Sequence, residues 1–147
     1  RPTLVMKKIA ILNGPNLHRL GKREPDIYGN QTLDDIVKAV AGHTADNAEV
    51  VHYQSNHEGD LIEQIHTWSD EGVTLGIINP AGFTHTSVAL RDALAASPIR
   101  FVEVHLSHIY QREDFRHNSV TAPACIAQIS GMGAHGYIAA ADYLLSL

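Results

Sequence analysis

Val73-Thr74-Leu75-Gly76-Ile77-Ile78-Asn79 reads as a strand with both faces covered. The run is near-continuously apolar, whereas a strand with one wet face alternates apolar and polar residues. Such strands belong to parallel sheets enclosed between layers of helix. Working outward, Ile9-Ala10-Ile11-Leu12 is a second buried run. Glu49 to Gln54, Ile99 to His105 and Ala124 to Ser130 supply three more strands. Helical spacing fills the gaps: Leu33, Ile36, Val37 and Val40 after a start near Thr32, then Leu61, Ile62, Ile65 and Trp68. Thr84 to Ser97 reads as a helix ended by Pro98, and Gly136 to Leu147 as a last helix with Ile138, Tyr143, Leu144 and Leu147 apolar. Strand and helix alternating in this way predict a single-domain, flavodoxin-like, doubly wound α/β fold on a five-stranded parallel sheet. The domain is expected to span residues 6–147. Met6 before Lys7-Lys8 looks like a natural start, with residues 1–5 an extension.

Composition narrows the partners. The 147 residues carry a net charge of −5, so nucleic acid and anionic membrane are not expected partners. No stretch approaches the ~18 apolar residues of a membrane-spanning helix. A single cysteine, Cys125, lies in the apolar run Ala124-Cys125-Ile126-Ala127 and is expected to be a small core residue. One cysteine permits no internal disulfide, which suits a reducing cytoplasm.

In open parallel sheets ligands sit beyond the carboxyl ends of the strands. Those ends are Asn13-Gly14-Pro15-Asn16, Gln54-Ser55-Asn56-His57-Glu58, Asn79-Pro80-Ala81-Gly82 and His105-Leu106-Ser107-His108. With the first and third strands adjacent, Asn16 and Asn79 face one pocket. Their amides suit neutral oxygens, carboxylates and ordered water. Asn16 has an alternative role, tying down its own turn.

Two further stretches carry chemistry. Lys22-Arg23-Glu24-Pro25-Asp26-Ile27-Tyr28-Gly29 is polar, aperiodic and punctuated by Pro and Gly, so it reads as a long mobile loop. It sets Arg23 five residues before Tyr28. A phenol is a poor base at neutral pH, but an adjacent permanent cation favours its anion. A loop carrying both is a lid that brings its own base. Glu103-Val104-His105 places a carboxylate and an imidazole on one face of the fourth strand. A carboxylate so placed orients an imidazole and favours its protonated form, as a general acid requires. A purely structural contact has the same spacing. Thr84 opens the third helix, as a ligand group or simply as its cap, and Arg112 and Arg116 flank Phe115 in a polar segment. A base, an acid, amides and a cover together suggest proton abstraction beside a carbonyl and departure of a protonated group.

Other motifs weigh less. Gly131-Met132-Gly133-Ala134-His135-Gly136 matches a dinucleotide fingerprint, but the chain holds only eleven more residues, too few for the acidic partner. A tight turn is the better reading. His105 and His108 have ligand spacing without an accompanying metal motif, and His43, His52 and His66 read as surface or helix-face residues. A flavin or nucleotide binder of the same architecture is the alternative function, although Gly14-Pro15-Asn16-Leu17 is not a Ser/Thr-rich phosphate cradle.

From about Lys8 to Leu147 the chain resembles the type II 3-dehydroquinate dehydratases (type II dehydroquinases) of the shikimate pathway. The resemblance rests on Asn13-Gly14-Pro15-Asn16-Leu17, Arg23-Glu24-Pro25 with Tyr28-Gly29, Gln54-Ser55-Asn56 and Asn79-Pro80-Ala81-Gly82. It continues through His85 to Ala93 and Glu103-Val104-His105-Leu106-Ser107. It implies a cofactor-free, metal-free trans-dehydration of 3-dehydroquinate to 3-dehydroshikimate through an enolate. Tyr28, activated by Arg23, is then the base, and His105, oriented by Glu103, is the acid. Asn16 positions a water at the enolate. Asn79 and the backbone amides of Leu106 and Ser107 bind the substrate carboxylate, and His85 and Arg116 contact the ring hydroxyls. The resemblance further implies a homo-oligomer, a dodecamer of trimers, in which Asp92 approaches the site from a neighbouring subunit.

Overall fold

The computed structural model describes residues 6–22, 26 and 30–147. Five strands form one sheet: β1 Lys7–Asn13, β2 Ala48–Gln54, β3 Leu75–Asn79, β4 Arg100–His105 and β5 Ala127–Ser130. All pairings are parallel and the order is β2-β1-β3-β4-β5, the doubly wound order the sequence predicts. Four α-helices lie among the described residues: α1 Leu33–Thr44, α2 Glu58–Asp70, α3 Val88–Ala96 and α4 His135–Leu145.

Two apolar layers hold the sheet between the helices. On one face Ile9, Ile11, Ile77, Val102 and Val104 pack with Ile36 and Val40 of α1 and Ala140, Ala141 and Leu144 of α4. On the other, Ala10, Leu12, Ile78 and Phe101 pack with Leu61, Ile65 and Trp68 of α2 and Leu90 and Leu94 of α3. Odd and even positions of β1 thus go to opposite cores, so its near-continuous apolar run leaves no face for water. Gly76 lets the side chain of Phe101 lie against β3, since a Cβ there would meet the ring at 2.4 Å.

Helix starts follow local chemistry. Thr32 caps α1 in a reciprocal box: its Oγ1 accepts from Asp35 N at 3.1 Å and its own N–H donates to Asp35 Oδ2 at 3.2 Å. The expected start of the third helix at Thr84 is corrected. Ala81–His85 is a 3-10 turn, and α3 begins only after Ser87, whose Oγ accepts from Leu90 N at 2.9 Å. Thr84 does not cap the helix; it is buried, hydrogen-bonded to Thr121 at 2.7 Å. The apolar face expected for α4 also differs. Leu144 is buried and Ile138 partly buried as expected, but Tyr143 and Leu147 are exposed, and the helix also buries Tyr137, Ala140 and Ala141. Small residues allow α4 to lie close on the sheet, a preference that counting large apolar side chains does not reveal. The fifth strand is shorter than expected because Ala122–Ala124, with Pro123, forms a 3-10 turn. Cys125 is only partly buried, with its thiol pushed up to about 12, chiefly by desolvation, so it is inert.

The strand ends are in register. Asn13 pairs with both Gln54 and Asn79, and Ile78 with Glu103. The carboxyl ends of β1, β3 and β4 therefore meet at one edge of the sheet.

Candidate active site

At that edge is a cavity of about 150 Å³, lined by Asn16, Asn79, His85, His105, Leu106, Ser107, Arg112 and Arg116 among others. Its floor comes from two tight departures from the sheet. Gly14 N–H donates to Asn79 O at 2.8 Å, and a Cβ at Gly14 would lie 2.5 Å from Pro80 O. Only glycine permits this approach of β1 and β3. Asn16 then takes φ 70°, a left-handed conformation that asparagine tolerates better than most residues. The turn is held by the Asn16 N–H, which donates to Asn56 Oδ1 at 3.0 Å, and by Gln54 Nε2, which donates to Gly14 O at 3.1 Å. The Asn16 side chain does not cap the following turn. Ala81 is also left-handed, at φ 52°, and Asn79 Oδ1 accepts its N–H at 3.1 Å. Backbone strain of this kind accumulates where a site over-determines its geometry.

The imidazole lies on the β4 wall. His105 Nε2 donates to Glu103 Oε2 at 2.9 Å, with His105 5% and Glu103 0% exposed. The alternation of one strand therefore brings the imidazole and the carboxylate together, as expected. Glu103 is also the acceptor for Ser119 Oγ at 2.9 Å, Gln128 Nε2 at 2.8 Å and Thr121 Oγ1. Burial works against its charge. The hydrogen bonds from His105, Thr121 and Gln128 and the His105 charge outweigh that, and the carboxyl falls from 4.5 to about 2. Glu103 is thus an anion at neutral pH, fixed by four donors.

Past His105 the chain turns through Leu106 and Ser107. Gly133 N–H donates to Leu106 O at 3.0 Å, Gly131 N–H to His105 O at 3.3 Å and Ser130 Oγ to Ser107 O at 3.2 Å. Gly131 and Gly133 both have positive φ. The glycine-rich motif is therefore a tight turn, and its amides pin the peptide units that follow β4. Arg112 Nη1 donates to Ser107 Oγ at 3.2 Å. Arg116 is held by Glu113 at 2.8 Å and lies 5.0 Å from the centre of the Phe115 ring. His85 Nδ1 donates to Asn118 O at 2.8 Å, which leaves Nε2 as the acceptor of a neutral ring. Burial lowers its pKa, the main cause, against the opposing pull of that hydrogen bond.

Of the sequence-derived site, Asn16, Asn79, His85, His105, Leu106, Ser107 and Arg116 share this cavity, with Glu103 behind His105. Asp92 is not among its lining residues; it is exposed on α3. Arg23 and Tyr28 lie outside the described residues. Ser119, Thr121 and Gln128 were not legible, since polar residues 16–25 positions from Glu103 form no local pattern. Arg112 was noted but given no role. His52 is exposed on β2, a surface residue as expected, but its Nε2 lies 3.0 Å from Asn13 Nδ2, a contact the sequence did not announce.

Fold and site together define a doubly wound α/β protein with a buried, hydrogen-bonded Glu–His pair at the strand ends and asparagine amides in the same cavity. Its relatives give that class a family. A model of the family described as dehydroquinase class II matches residues 7–145. The 3-dehydroquinate dehydratase 1 of Ralstonia nicotianae is 51% identical over 139 residues, covering 94% of this chain and 89% of that protein. The catabolic 3-dehydroquinase of Scheffersomyces stipitis is 45% identical, covering 97% and 99%. The solved type II dehydroquinase of Butyrivibrio crossotus superposes with a TM-score of 0.92 at 48% identity, covering 95% and 97%. The chain belongs to the class II dehydroquinase family. The flavin-binding alternative finds no support in these relatives.

Proposed function

We propose that this chain is a 3-dehydroquinate dehydratase, a lyase of the shikimate pathway that removes water from 3-dehydroquinate to give 3-dehydroshikimate. The observation that carries the reading is the pair in the cavity wall: His105 seated on a Glu103 held ionised by four donors, in a chain of this family. The Tyr28 phenolate, stabilised by the Arg23 guanidinium, takes a proton from carbon 2. The electron pair moves into the adjacent ketone and forms an enolate. A water ordered by Asn16 hydrogen-bonds that oxygen. Fixed donors aimed at developing charge are usually the largest catalytic contribution.

Collapse of the enolate forms the double bond and breaks the bond from carbon 1 to its hydroxyl. His105 gives that hydroxyl a proton, so it leaves as water. Glu103 fixes the orientation of the ring and stabilises the imidazolium before transfer. Asn79 and the amides of Leu106 and Ser107 take the substrate carboxylate. Their pinning by Gly131 and Gly133 supports this role, because a donor that need not reorganise acts at full strength. His85 and Arg116 contact the ring hydroxyls.

The site is completed in a homo-oligomer, a dodecamer built from trimers, with Asp92 serving a neighbouring subunit. Its exposure on α3, away from its own cavity, is what that arrangement requires. Among the described residues no helix is long and apolar enough to cross a membrane, and a cytoplasmic location fits the reading. The test is turnover of 3-dehydroquinate, followed by the ultraviolet absorbance of the conjugated product. Steady growth of that absorbance is expected, and its absence would overturn the proposal.

A further inference from the structure

Beneath the cavity, a chain of hydrogen bonds runs through the core from β3 to β2. Ala81 N–H meets Asn79 Oδ1 at 3.1 Å, and Asn79 Nδ2 lies 3.0 Å from Tyr137 Oη. Tyr137 Oη lies 2.6 Å from Asn13 Oδ1, and Asn13 Nδ2 lies 3.0 Å from His52 Nε2. Tyr137, Asn13 and Asn79 are 0%, 0% and 3% exposed, so water cannot substitute for a missing partner.

The direction of every bond follows from one group. A backbone N–H can only donate, so the Asn79 atom facing Ala81 is the carbonyl oxygen. Its amide nitrogen must then face Tyr137 and donate to the phenol oxygen. Tyr137, having accepted, donates its own hydrogen to Asn13 Oδ1. Asn13 Nδ2 must then donate to His52 Nε2, which requires a neutral ring with its proton on Nδ1. The surroundings agree at both titratable points. Burial pushes the Tyr137 phenol up and keeps it protonated, and desolvation lowers His52 and keeps it neutral.

We infer that Tyr137 is a positioning residue for the substrate site: its hydroxyl bridges the side-chain amides at the ends of β1 and β3 and locks the orientation in which Asn79 meets its ligand. Tyr137 is not among the residues lining the cavity and acts only through Asn79. Without the hydroxyl, Asn79 Nδ2 and Asn13 Oδ1 both lose a buried partner, and the Asn79 amide gains freedom to turn. One Nδ2 hydrogen of Asn79 is uncommitted among the described residues, so the locked amide offers the cavity a donor of fixed direction. A donor suits the carboxylate assigned to Asn79 above. The catalytic consequence rests on the dehydratase reading; the locking of the amide does not.

The test has two arms. In the kinetic arm, Tyr137→Phe is assayed with 3-dehydroquinate. Removing a group that acts on ground-state and transition-state binding alike raises KM and leaves kcat nearly alone. KM is expected to rise about tenfold, the size of one lost hydrogen bond of about 1.4 kcal/mol, with kcat within about threefold. Asn13→Ala, which removes the other end of the bridge outside the cavity, should raise KM severalfold and add less than about twofold in the Tyr137→Phe background, because both changes break one chain. In the second arm, the Asn79 side-chain amide is observed by nitrogen-15 NMR in protein labelled at asparagine, assigned by Asn79→Asp. Its two protons are expected to be distinct and protected from exchange in the unaltered protein, and to exchange faster in Tyr137→Phe or Asn13→Ala. An unchanged Asn79 signal overturns the inference whether or not the protein turns over 3-dehydroquinate. So does an unchanged KM in Tyr137→Phe. If that variant does not fold, an unchanged KM in Asn13→Ala decides against it equally. A protein that shows the NMR change but no turnover would refute the dehydratase reading alone.

Discussion

Glu103 concentrates the electrostatics of this protein in one side chain. A fully buried carboxylate is costly unless hydrogen-bonded, and here four donors converge on it. Its carboxyl lies at about 2, below the ordinary 4.5, so the folded state prefers the ionised form. The stability this contributes is full above the unfolded value and is lost as pH falls from about 4.5 toward 2. Glu103→Gln should accordingly flatten acid unfolding in that window, measured by circular dichroism from pH 5 to pH 2; an unchanged profile would place the acid sensitivity elsewhere. At the same scale, His105→Ala should slow product formation by at least ~100-fold, the size of a lost proton-transfer group. Exchange of the carbon-2 proton with deuterated solvent should remain detectable by NMR. Simultaneous loss of both would argue against an enolate that forms before the hydroxyl departs.

Individual elements were unevenly legible. β1 and β3 were readable because burial on two faces leaves an unbroken apolar run, and Val73 to Asn79 needed only its first two residues trimmed. Glu103 and His105 were readable as a pair because alternation along a strand is a rigid rule. The region before α3 was not. Thr84 looked like a cap, but its hydroxyl is claimed by Thr121, on a segment 37 residues away. Ser87 caps α3 instead, and its Oγ also donates to Glu58 Oε2 at 2.5 Å. Ser87→Ala should lower stability by about 1 kcal/mol in urea unfolding; an unchanged midpoint would mean that this cap does not hold the helix start. The proposed roles of Arg23 and Tyr28 are open to a direct test. If the phenol transfers the proton, as proposed, Tyr28→Phe should cut turnover at least ~100-fold without a comparable change in melting temperature. Near-normal turnover would mean the base is another group.

Across the whole molecule, sheet order converts scattered asparagines and histidines into one site. Placing β1 between β2 and β3, with β4 next, aligns Asn13, Asn79 and the end of β4 at a single edge. Topology made that location predictable, while the supporting contacts were hidden because they join residues far apart in the chain. The Tyr137–Asn13 bond spans 124 positions, and no local pattern announces it. Asp92 shows the complementary limit: its assignment came from family resemblance, and it stands apart from the cavity of its own chain. The central claim, that this edge of the sheet dehydrates 3-dehydroquinate without a metal or cofactor, is most directly tested by one progress curve. Purified protein, dialysed against chelator and supplied with no cofactor, is mixed with 3-dehydroquinate while the ultraviolet absorbance of the enone carboxylate is recorded. The account predicts an enzyme-dependent rise to a plateau; a flat trace, or a rise only after a metal or cofactor is restored, would contradict it.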